Sequence, residues 1–200
     1  MGNREDLLAG AKQCLREKGY ARTTARDIAT ASGVSLAAIG YHFGSKDALM
    51  NQALFEAIGD WGLELQTVVA AELPADATTL RRFEVTWQRM IELFERHRPL
   101  MAASFEVFTL IEHVPEFREF YGHAVQEARK GLGALFLHVD EDTIDVRTAR
   151  TAGSIYYALL VGVMAQWLVD PVNAPSAAEL TEGLRVLMGE RTPAESGSEK

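Results

Sequence analysis

The sequence predicts an all-α chain of about nine helices, and three observations lead there. Apolar residues recur at helical spacing through nearly all of the 200 residues. Alternating runs rich in Val, Ile and Thr, the mark of half-buried strands, are nearly absent. Gly, Ser, Thr and Pro fall between the periodic stretches, at the places where helices start and stop. With 48% hydrophobic residues the chain can bury a core, which excludes a disordered polypeptide.

The first helix is expected from about Arg4 to Lys18, with Leu7, Leu8, Ala11, Cys14 and Leu15 inward and Gly19 as its stop. Thr24 and Asp27 form a Thr-x-x-Asp pair resembling a capping box, which starts a short helix ending near Ser32-Gly33. Ser35 is the expected N-cap of a third helix that ends near Phe43-Gly44. Ser45 caps a long fourth helix, to about Glu72 before Leu73-Pro74.

Longer units follow. Thr79 to His97 places Phe83, Trp87, Met90, Ile91 and Phe94 on one face. Pro99 opens a segment to about His113, and Pro115 another to about His138, each where a missing N–H costs nothing. Asp145 to Leu168 is the most apolar helix, and the run Asp170 to Pro175 stops it. Ser176 caps a last helix to about Met188. Residues 191–200 are low-complexity and expected to be disordered.

Cys14 is the only cysteine, so neither an intrachain disulfide nor a cysteine zinc cluster is available. The N-terminus enters an amphipathic pattern without a signal-peptide core. The longest apolar run, Ile155 to Val169, is shorter than the roughly 20 residues a membrane span needs. A cytoplasmic protein without a membrane partner is expected. The five histidines lack close metal-ligand spacing, and nucleophile elbows and phosphate loops are absent. No metal, no cofactor and no enzyme activity are expected.

Net charge is −8, but its distribution is uneven. Residues 1–50 carry seven Lys/Arg against five Asp/Glu, and the remainder thirteen against twenty-three. Two modules are implied, only one of which could face phosphates. Within the first, Thr24 to Phe43 reads as helix, turn, helix. Each helix is too short to survive alone, and the Leu7/Leu15 stripe can bury both. Gly33 sits at the elbow, where positive φ lets the chain turn sharply. Ile28, Ala29, Val34 and Ile39 can share a small core sealed by Phe43. Ala37 and Ala38 keep the second helix slim enough for a major groove about 12 Å wide.

Gly19-Tyr20, Thr23 to Ala29, Gly33-Val34-Ser35 and Tyr41 to Leu49 resemble, in order and spacing, the DNA-binding signature of TetR-family transcriptional regulators. The resemblance implies a homodimer with a helix-turn-helix domain over 1–45 and a ligand-binding and dimerisation domain over 46–190. It implies a repressor that leaves a palindromic operator when a small molecule binds. By the same resemblance Thr24 and Arg26 meet phosphates or a guanine edge. Ser35, Leu36, Ala37 and Ala38 form the leading turn of the recognition helix. Tyr41 and His42 grip the backbone, and Lys46 matches the lysine that opens the fourth helix. Gly40 stands where the family most often has Tyr, and Leu36 where it often has Lys. Base reading then rests chiefly on Arg26, Ser35 and Tyr41, with DNA shape supplying the rest.

In the C-terminal part, Trp61, Trp87, Met90, Phe105, Phe108 and Tyr157 read either as core or as the lining of an apolar cavity. Glu106 interrupts an apolar run and reads as a contact to a cationic ligand, an exposed face or a partner of Arg. His113 and His123 are candidate ligand contacts or surface residues. The small residues of the Asp145–Leu168 helix, with Leu180, Leu184 and Leu187, suggest a face over 145–169 and 176–188 that pairs with its own copy. Burial within one chain is the alternative.

Overall fold

In a computed structural model, residues 3–74, 76–108 and 115–190 are described, without the side chains of 115–117. The expected disordered tail at 191–200 and His113 lie outside them. Nine helices make up the described residues, and no strand occurs among them. They are α1 (Asn3–Lys18), α2 (Ala25–Ser32), α3 (Leu36–Phe43), α4 (Lys46–Glu72), α5 (Thr79–Arg96), α6 (Arg98–Phe108), α7 (Pro115–Leu137), α8 (Val146–Val169) and α9 (Ala177–Leu187). A 3-10 turn, Glu141–Thr143, precedes α8. The chain forms two compact units, and the division falls inside α4, α5 and α7.

The first unit holds the described residues up to Glu64 together with Phe94–Arg129. α1 buries the expected stripe of Leu7, Leu8, Ala11, Cys14 and Leu15, and packs on α2, α3 and α6. Its closest approach is at Gly10, where an added β-carbon would stand 2.9 Å from Ser32. Lys12 ties α1 to α4 through Glu56 and Asp60, each at 3.0 Å. Further along, Trp61 stacks on Phe94 (centroids 6.2 Å apart, 18° between planes), and Glu64 receives both Arg96 and His97.

The second unit holds Leu65–Leu93 and the described residues from Lys130 onward. Its core is aromatic. Phe83, Trp87 and Phe136 meet at 5.7–6.2 Å, and Tyr156 stacks on Phe136 at 4.2 Å. Burial pushes the Tyr156 phenol above its ordinary pKa. α7 and α8 come close at two glycines, with Gly133's absent β-carbon 3.8 Å from the Gly153 Cα.

The expected helix at Asp145–Leu168 has the right extent but not an even pitch. Residues Ala149–Gly153 form a π turn, which widens the helix by one residue and rotates all that follows. Although its uncharged run Ile155–Val169 is short, α8 as a whole is long and apolar enough, by length and composition, to cross a membrane. Most of it is half-buried or exposed within this chain.

Candidate nucleic-acid interface

The turn between α1 and α2 combines a backbone bond from Thr23 N–H to the Tyr20 carbonyl with several side-chain ties. Gly19 takes a left-handed conformation (φ +81°) that a β-carbon would strain. The Thr23 hydroxyl donates to the Gly19 carbonyl at 2.7 Å. Tyr20 is buried, and its hydroxyl donates to Asn51 Oδ1 at 2.7 Å. Burial raises that phenol far above its usual pKa.

Thr24 then starts α2 through the expected capping box. Its hydroxyl accepts from the Asp27 N–H at 3.2 Å, while Asp27 Oδ2 accepts from the Thr24 N–H at 2.8 Å. Lys18 joins the same carboxylate, with Nζ 2.5 Å from Oδ1. That ammonium, followed by the Thr24 hydrogen bonds, holds the Asp27 carboxyl well below the usual carboxylate range.

Gly33, at φ +68°, makes the elbow as expected. Ile28 and Ile39 are buried beneath it, which fixes which side of α3 faces outward. Ser35 occupies the N-cap position in an extended conformation, but its hydroxyl makes no capping hydrogen bond.

Most of the residues expected to read DNA lie together on the outward side. Thr24, Arg26, Ser35, Leu36, Ala37 and Tyr41 are exposed, Tyr41 at 86%. Ala38 and His42 are half-buried, and the His42 ring meets Tyr41 edge-on at 4.9 Å. Lys46 is placed differently. It reaches back to the Thr23 carbonyl at 3.4 Å and pairs with Asp47 at 3.0 Å, so it braces the turn. Phe43 lies under the Arg4 guanidinium, 5.1 Å from the ring centre.

The expected ligand residues do not form one group. In the first unit Phe108, near Phe105, lines an open groove with Arg118, Tyr121 and Arg129. His123 is exposed, and Trp61 belongs to the Phe94 stack. Glu106 has a partner that the sequence reading did not include. Its Oε2 accepts the Ala21 N–H at 2.7 Å, a partner 85 residues away that no local pattern could announce. In the second unit Trp87 and Met90 are fully buried in the core, and Tyr157 is half-buried. The buried indole N–H groups of Trp61 and Trp87 have no acceptor among the described residues.

Residues 7–53, which carry this whole arrangement, match the family of bacterial regulatory proteins designated tetR. Over that N-terminal stretch the chain is similar to the TetR family. The HTH-type transcriptional repressor KstR2 of Rhodococcus jostii RHA1 is 34% identical to this chain over 77 residues. That match spans 38% of this chain and only 38% of the length of KstR2. HdnoR of Paenarthrobacter nicotinovorans, a nicotine-responsive repressor, is 22% identical over 181 residues, covering 90% of this chain and 91% of that protein. Among solved structures, Streptomyces coelicolor A3(2) SCO7518, assigned as a transcriptional regulator, is similar at a TM-score of 0.64. It is 25% identical, over 92% of this chain and 97% of that one. The TetR match was legible from Gly19 to Leu49, whereas Gly10, Asn51 and Glu106 carry no local signal.

Proposed function

We propose that this protein is a TetR-family transcriptional repressor. It binds a palindromic operator as a homodimer and is released by a small-molecule effector. Residues 1–45 serve as the reading head, and 46–190 serve ligand binding and dimerisation. The observation that carries the reading is the pairing of a buried Ile39 with an 86% exposed Tyr41 on α3. A slim helix anchored on one side and bare on the other suits the major groove.

Arg26 and Ser35 supply hydrogen bonds to base edges, Leu36 and Ala37 apolar contact to thymine methyls, and Tyr41 a phosphate contact. Thr24, Ala38 and His42 flank that surface. Lys46 acts by bracing the turn and by its positive charge near the backbone.

The second copy is held by α8 and α9. Ile155, Ala158, Gly162, Gln166 and Val169 form an exposed ridge along α8, with small residues that let another helix approach. α9 and its end add exposed Val186, Leu187 and Met188. That surface accounts for an apolar α8 in a cytoplasmic protein without a membrane partner.

The effector acts by population shift. It must prefer the dimer spacing that does not fit the DNA repeat, by several kcal/mol for a nearly complete switch. The open groove at Phe108 and the unsatisfied Trp61 donor, both in the first unit, support an effector site C-terminal to the reading head. HdnoR, a repressor that answers nicotine by its name, is a relative of matching length.

The test is selection from a randomised duplex pool with the purified protein, followed by gel shift at stated salt. Enrichment of one sequence supports the reading. Binding that does not distinguish the selected duplex from bulk DNA overturns it.

A further inference from the structure

The start of α2 is set from an unexpected direction. Between Lys18 and Thr24 the chain has no helical ladder, so its path depends on side-chain ties as well as the Thr23–Tyr20 backbone bond. The Ala21 N–H finds its acceptor in Glu106 Oε2 at 2.7 Å, on α6. The other carboxylate oxygen lies 3.2 Å from where a β-carbon on residue 19 would stand. α1 and α6 pack directly beside this contact.

We infer that Glu106 is a positioning residue for the reading head, a carboxylate clasp that fixes the α1–α2 turn and with it Thr24 and Arg26. The inference rests on the regulator reading above and names the residue through which α6 acts on that surface. A hydrogen bond from a backbone N–H to a carboxylate is roughly twice as strong as a neutral one. Gly19 leaves the carboxylate room, and any side chain there would both strain the backbone and press on Glu106. Displacing α6 removes the acceptor of Ala21 and frees the start of α2, three residues further on. Residues 1–64 without α6 therefore lack one of the contacts that shape their DNA-facing turn.

The experiment compares wild type with Glu106→Gln and Glu106→Ala, using amide hydrogen exchange at Ala21 and affinity for the duplex that wild type selects. Glu106→Gln keeps a carbonyl oxygen as acceptor and is expected to stay near wild type in both. Glu106→Ala is expected to exchange at Ala21 about tenfold faster, as loss of one charge-assisted hydrogen bond implies. It is also expected to bind about tenfold more weakly with an unchanged salt slope. Should the Ala variant fail to fold, Glu106→Asp, one methylene short, is expected to show both changes in smaller measure. Unchanged exchange at Ala21, or faster exchange with full affinity, overturns the positioning role. If wild type selects no duplex, the regulator reading fails instead, and the exchange data alone decide whether the clasp exists.

Discussion

Lys18 Nζ lies 2.5 Å from Asp27 Oδ1, and the other oxygen of that carboxylate closes the capping box with Thr24. One side chain thus fastens the end of α1 to the beginning of α2. The Lys18 ammonium, then the Thr24 hydroxyl and N–H, stabilise the ionised form and depress its pKa. A depressed native pKa gives stability that is fully present above the unfolded value of about 3.9. It is lost as pH falls from there toward the native value. Carbon-detected NMR titration of Asp27 is expected to show a midpoint well below that of ordinary aspartates. A midpoint at the ordinary value contradicts the arrangement.

Gly33 and Gly40 offer a paired test of the helix-turn-helix backbone. Neither has an atom within 4 Å of an added β-carbon, but Gly33 sits at φ +68° and Gly40 within α3. Gly33→Ala is expected to destabilise by about 1 kcal/mol, since an L-residue strains there. Gly40→Ala is expected to stabilise by roughly 0.5–1 kcal/mol through lower unfolded-state entropy. Urea unfolding measures both, and equal effects would refute the backbone account.

Arg26 and Tyr41 should fail in different ways. Arg26→Ala is expected to cost about 1–3 kcal/mol at one base position and to relax specificity there. Tyr41→Ala should weaken binding across sequences by a similar loss at every duplex. Lys46→Ala is expected to weaken binding across sequences, and its charge loss should reduce the salt slope by about one. Gel shifts over a range of salt on matched and mutated duplexes separate these outcomes. Unchanged affinity in both Tyr41→Ala and Lys46→Ala would defeat their assignment.

The α8 ridge predicts a further separation. Ile155→Arg places a charge on the exposed apolar face and leaves the buried Val163, Met164 and Trp167 untouched. Light scattering is expected to show half the wild-type mass, with helical content retained and DNA affinity lost. A variant that stays dimeric would move the interface elsewhere.

Much of this was readable from local pattern. The Thr24–Asp27 box, the Gly33 elbow and the Ser176 cap are short-range devices, and each forms as the spacing implies. Ser35 also takes its expected N-cap position, although its hydroxyl makes no capping hydrogen bond there. The π turn at Ala149–Gly153 was illegible because it falls in a stretch of small and polar residues, Arg147 to Ser154, where a one-residue slip interrupts no apolar period. Glu106 was illegible for another reason: its partner is a backbone amide on a distant turn. Aromatic residues proved the most ambiguous, since the same size that could line a cavity placed Trp87 in a close-packed core.

On the proposed function, α3 is offered outward twice per assembly to duplex DNA. The most direct measurement is the sequence symmetry of the duplex selected from a random pool, with the mass of the complex. The account predicts an inverted repeat whose half-site centres lie about 34 Å apart or a multiple of it, bound by an even number of chains. An asymmetric site occupied by one chain would contradict it.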